Sequence, residues 1–121
     1  MKIAVLEDDR DYREVLTKML EEAGYEVFSA ATGFDMVNEM VNEPPDLILL
    51  DLQLPLINGE KVMGMFQQKE VLPAGKIPVI ILSSKDEGEI KAAAQKLNAV
   101  QWFRKPVEKK DLLSAISRYS G

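Results

Sequence analysis

Cysteine and histidine are both absent from the 121 residues. Without cysteine there is no disulfide, no thiolate metal site and no thiol nucleophile. Without histidine there is no imidazole to serve as general base, metal ligand or phosphate carrier. No run of eighteen apolar residues occurs, so no membrane-spanning helix is expected. The chain also lacks a basic cluster and carries a formal net charge of -5, which does not suit direct binding of nucleic acid. Its start, Met1 to Glu7, meets an acidic cluster before the apolar stretch of a secretory signal could form, so a cytoplasmic location is expected. What remains for chemistry is carboxylates, hydroxyls, lysine and the backbone. At this length the expectation is one domain spanning 1–121.

Strand-like and helix-like patterns alternate five times. Lys2 to Leu6 is an apolar run that ends in Glu7-Asp8-Asp9. Tyr12, Val15, Leu16, Met19, Leu20 and Ala23 then recur at helical spacing, with Gly24 as the stop. Tyr25 to Ala30 reads as a second strand, and Thr32 as the cap of a helix carrying Phe34, Val37, Met40 and Val41. Pro44-Pro45 closes that helix. Asp46 to Leu50 and Val79 to Leu82 are apolar without alternation, the pattern of central strands buried on both faces. Between them lies an expected helix with Val62, Met63 and Phe66. A fourth helix follows with Ile90, Ala93, Ala94 and Leu97, then a last strand from Ala99 to Phe103. A closing helix carries Leu112, Leu113, Ile116 and Tyr119. Strands alternating with helices imply a parallel sheet covered on both faces.

Polar residues stand at the ends of these apolar runs: Glu7-Asp8-Asp9, Asp51, Ser83-Ser84 and, after the fifth strand, Lys105-Pro106. In an open parallel sheet, ligands bind outside the carboxyl ends of the strands. Four segments therefore deliver acids, a hydroxyl and an ammonium to one place. Each motif alone is weak, since acids also cap helices, Lys-Pro is common in solvated loops, and serines cap helices too.

Together, at this spacing and with Pro55 and Asn58-Gly59 after Asp51, they resemble the receiver domain of response regulators in two-component signalling, over essentially the whole chain. The resemblance implies a flavodoxin-like three-layer α/β sandwich, with a five-stranded parallel sheet of order 2-1-3-4-5 and five helices. It implies Asp51 as phosphoacceptor and Mg²⁺ (or Mn²⁺) as cofactor. Asp8, Asp51 and the backbone carbonyl of Gln53 would be its ligands, and Glu7 would act through a water. Such a cation suits the set, because crowded carboxylates repel one another and the incoming phosphoryl oxygens. Lys105 is implied as the cation that pairs with Asp51 and then with the phosphoryl group, and Ser83 as a donor to that group. Trp102, three residues before the lysine where the family more often has Tyr or Phe, is implied as the aromatic switch. Gln53 and Lys85 occupy positions that modulate dephosphorylation.

The same resemblance implies a sensor histidine kinase or His-phosphotransfer protein as donor, and an output domain or downstream protein as receiver of the signal. The output face would be the fourth helix, fifth strand and fifth helix. A homodimer through that face is less favoured here, because Val100-Gln101 stands where a large DNA-binding subfamily has two acids. Asn98 replaces a common Gly before the last strand and is the next-best residue for a left-handed turn.

Three rival functions share parts of this pattern. A phosphatase using an aspartyl phosphate usually has a second Asp two residues after the nucleophile, where this chain has Gln53. A flavin binder needs a Ser/Thr/Gly-rich loop where this chain has three acids. The third is a pseudo-receiver acting only as a protein-interaction module. A switch rather than a conventional enzyme is the expectation, with magnesium-dependent self-phosphorylation and dephosphorylation.

Overall fold

The computed structural model describes residues 1–51 and 77–119, with the backbone alone described at 33, 34, 37, 40, 41, 96 and 97. The expected helix with Val62, Met63 and Phe66 therefore lies outside the described residues, as do Gln53, Pro55 and Asn58-Gly59. So do the side chains of Phe34, Val37, Met40, Val41 and Leu97.

The described elements run β1 (Lys2–Leu6), α1 (Arg10–Glu22), β2 (Glu26–Ala30), α2 (Gly33–Asn42) and β3 (Leu47–Asp51). They continue with β4 (Val79–Ser83), α3 (Glu87–Leu97), β5 (Gln101–Arg104) and α4 (Lys109–Arg118). Here α3 and α4 are the fourth and fifth helices of the sequence pattern. The five strands form one parallel sheet in the order β2-β1-β3-β4-β5.

Alternation along each strand sorts the core into two layers. Ala4, Leu6, Ile48, Leu50, Val79 and Ile81 face Met36 of α2 and Ile90, Ala93 and Ala94 of α3. Ile3, Val5, Leu47, Leu49, Ile80 and Leu82 face Leu16 and Leu20 of α1 and Leu112, Ala115 and Ile116 of α4. All five residues of β3 and of β4 are buried, because helices cover both faces of these central strands.

Capping fixes the helix ends. Asp9 accepts from the Tyr12 amide at the start of α1, and Thr32 from the Asp35 amide at the start of α2. At the end of α1, Gly24 (φ 96) donates to the Glu21 carbonyl and Tyr25 to the Leu20 carbonyl. That is a Schellman turn, which requires the left-handed backbone that glycine supplies. Asn98 (φ 54) does the same after α3, with Ala99 N–H reaching the Ala94 carbonyl. Ala99 is thus spent on the cap, and the last strand begins at Gln101 rather than Ala99.

Three apolar positions depart from the periodic reading. Val15 is 54% exposed on α1 and Ala23 is exposed at its end, since the buried stripe there is narrower than the apolar one. Tyr119 lies past α4, 38% exposed, its hydroxyl 3.4 Å from the Val100 carbonyl.

Candidate functional site

The tips of β1, β3, β4 and β5 converge at the carboxyl edge of the sheet. Register places Leu6 beside Leu50, Asp51 beside Leu82, and Ser83 beside Arg104, so Glu7, Asp51, Ser83 and Lys105 all reach this edge. Backbone bonds hold the tips. The Glu7 amide donates to Ala30, and the Lys105 amide to the Ser83 carbonyl at 2.7 Å. Arg13 comes in from α1 and donates from Nη1 to the Glu7 carbonyl at 2.9 Å.

One carboxylate oxygen from each of Glu7, Asp8 and Asp51 lies within 4.8 Å of the others. Glu7 and Asp51 are buried, while Asp8 is exposed. Lys105, its side chain only 11% exposed, joins the two buried acids: Nζ stands 2.8 Å from Asp51 Oδ2 and 3.0 Å from Glu7 Oε1. One ammonium pairs with two of the three carboxylates, so these four side chains together carry more acid than base. Arg13 adds a positive group beside it but donates to a carbonyl, not to the acids. Glu7 Oε2 is buried with no hydrogen-bond partner among the described residues. A buried carboxylate oxygen without a partner is costly, and a hard cation is the ligand that such oxygens satisfy.

Of the three consecutive acids, Glu7 and Asp8 join the cluster and Asp9 caps α1. Ser83 is fully buried, and its Oγ accepts from the Lys85 amide at 3.1 Å. It is not a helix cap; Asp86 caps α3 through the Glu89 amide. Lys85 lies on the rim, 3.8 Å from Glu89. Trp102 is half-buried on the α3 side of β5, with Lys91 Nζ 6.0 Å from its ring centroid. It borders a shallow groove together with Ala94, Gln95, Asn98 and Ala99. The Lys105–Pro106 peptide is cis.

Two contributors escaped the sequence reading. Tyr12, counted there as one of the apolar positions of α1, brings its ring to Lys105, with Nζ 4.4 Å from the centroid. Burial pushes its phenol above the usual value near 10, with the Lys105 ammonium pulling the other way. Arg13 is the second. Helical periodicity flagged neither, because the site-facing side of the first turn is also the start of the apolar face.

An open parallel sheet with acids on one strand tip, an acid on the next but one in sequence, and a lysine after the last is a doubly wound α/β fold with its candidate site at the carboxyl ends of the strands. The family described as response regulator receiver domain matches residues 3–117, and the chain belongs to that family. Among curated relatives, Protein PilG of Pseudomonas aeruginosa is 29% identical over 119 residues, covering 98% of this chain and 87% of PilG. The chemotaxis protein CheY4 of Vibrio cholerae superposes with a TM-score of 0.85 at 24% identity, over 98% of this chain and 97% of that one. A CheY-like receiver domain protein from Methanospirillum hungatei JF-1 gives 0.81 at 26% identity, over 97% and 90%. Fold and family thus agree with the order of motifs read along the chain.

Proposed function

We propose that this receiver domain is a phosphorylation-activated switch in which Asp51 takes a phosphoryl group from a phosphohistidine donor. The observation that carries this reading is the two-acid, one-lysine pairing, with Lys105 Nζ 2.8 Å from Asp51 Oδ2 beside Glu7 and Asp8. An Asp51 carboxylate oxygen attacks phosphorus, and the bond from phosphorus to the donor imidazole nitrogen breaks. That nitrogen keeps the electron pair and the protein keeps an acyl phosphate. None of the 121 residues is histidine, so the phosphohistidine lies outside them, on a histidine kinase or His-phosphotransfer protein.

The donor set suits Mg²⁺ or Mn²⁺: hard carboxylate oxygens, close together, one of them buried without a partner among the described residues. Asp8, Asp51 and the Gln53 backbone carbonyl would hold the ion, with Glu7 acting through a bound water. Such an ion would supply positive charge that offsets the crowded acids and the phosphoryl oxygens. Lys105 pairs with Asp51 before transfer and with a phosphoryl oxygen after it. Ser83 gives up the Lys85 amide and donates its hydroxyl to the phosphoryl group, and Trp102 moves into the space this opens. The α3–β5–α4 face then changes for a downstream protein or output domain. Gln53 and Lys85 modulate loss of the phosphoryl group. Turnover of outside substrates is not part of this role, and a cytosolic location belongs to the same reading.

Incubation with acetyl phosphate and magnesium is expected to label the protein, and Asp51→Asn to abolish the label with the fold intact. Label remaining at the same site in that variant would sink the acceptor assignment. Folded wild-type protein that takes no label from acetyl phosphate or a phosphohistidine donor would leave the pseudo-receiver reading instead.

A further inference from the structure

We propose that Tyr12 is a positioning residue for Lys105, holding its ammonium against the ring face at the point where it bridges Glu7 and Asp51. An ammonium has three N–H donors. Two find Asp51 Oδ2 at 2.8 Å and Glu7 Oε1 at 3.0 Å. Among the described residues, the Tyr12 ring, 4.4 Å from Nζ to centroid, is the remaining neighbour the geometry offers. The Lys105 side chain is only 11% exposed, so the contact is largely shielded from water. A ring face attracts a cation within about 6 Å of its centroid, and more strongly where water is excluded. The attraction is also broad. The ammonium can shift between carboxylate and phosphoryl oxygens without leaving the ring.

The ring is itself fixed. Tyr12 sits in the first turn of α1, its amide bonded to the Asp9 cap and its ring packed on the core layer under α1. A tyrosine phenol is neutral near pH 7 without any shift, so the group facing the ammonium is a neutral ring. The next residue, Arg13, ties α1 to the β1 tip through the Glu7 carbonyl. One helical turn thereby sets both the acid backbone and the lysine.

The consequence for transfer rests on Asp51 being the acceptor; the contact does not. The test compares wild type with Tyr12→Leu and Tyr12→Phe. The first readout is the Lys105 ε-methylene proton shift without phosphodonor, which the ring current moves upfield. The second is the rate of labelling by acetyl phosphate at saturating magnesium. In Tyr12→Leu the upfield shift is expected to vanish and labelling to slow by about tenfold. Tyr12→Phe, which keeps the ring, is expected to restore both. An unmoved Lys105 resonance in Tyr12→Leu would overturn the proposal, and so would a Tyr12→Phe protein that behaves like Tyr12→Leu. If wild type takes no label, the acceptor reading fails alone, and the lysine shift still decides the contact.

Discussion

Lys105 carries the electrostatics of the site, because Glu7 and Asp51 are buried and each turns one oxygen toward its single ammonium. Removing one partner of a buried charge set leaves the others uncompensated, at a cost of about 3–5 kcal/mol. Lys105→Ala in metal-free buffer is therefore expected to lower stability by roughly 3 kcal/mol, read from urea denaturation. The variant should still accept phosphoryl groups but show a blunted shift of its amide spectrum on phosphorylation. An unchanged urea midpoint would mean that another group neutralises the acids. Tyr12 adds a pH signature. Its folded-state pKa is raised by burial, so its contribution to stability is full below the usual phenol value and is lost as pH rises through the folded value. Stability of wild type should fall faster than that of Tyr12→Phe above about pH 10. Equal slopes would argue that the phenol ionises alike in both states. At this scale the acids and the lysine were legible, since polar residues closing apolar runs stand out. Tyr12 was not, because an aromatic at helical spacing reads as core.

Helix ends show how much an element owes to one residue. Gly24 has φ 96 and closes the Schellman turn after α1, while a Cβ built there meets nothing within 4 Å. Gly24→Ala should thus cost about 1–2 kcal/mol from backbone conformation alone, with no packing change. A loss below a few tenths would show that the turn relaxes. Gly24 and Asn98 were both readable as left-handed stops, because few residue types tolerate that backbone. Strand starts were less so. Asp46 and Ala99 look like strand openings, but Ala99 is bonded back to Ala94 and Val100 to Val79, and that division depends on hydrogen bonds rather than residue type. β3 and β4 were plain, because strands buried on both faces need apolar residues at every position.

For the whole molecule, the proposed cation site among three acids at one sheet edge would link metal binding to folding. An ion that binds the native state alone stabilises it by about 2.7 kcal/mol at a hundredfold excess over its Kd. Magnesium should raise the melting temperature of wild type, and Asp8→Asn should lose most of that rise together with affinity measured by calorimetry. An equal rise in both proteins would remove Asp8 from the metal site. Among the described residues no helix is long and apolar enough to cross a membrane.

Residue order alone determined the alternation of strands and helices, the doubly covered central strands and the polar closings of the runs. These follow from local rules: apolar period, capping chemistry and the backbone limits of Gly, Asn and Pro. Which closings meet was decided only in three dimensions. Strand order puts β1 between β2 and β3, and so brings Glu7 within 3.0 Å of a lysine 98 residues away. The division of labour among Glu7, Asp8 and Asp9, and the ring of Tyr12 over Lys105, likewise depend on how α1 sits against the strand tips. Neighbours across a sheet leave no mark in spacing along the chain.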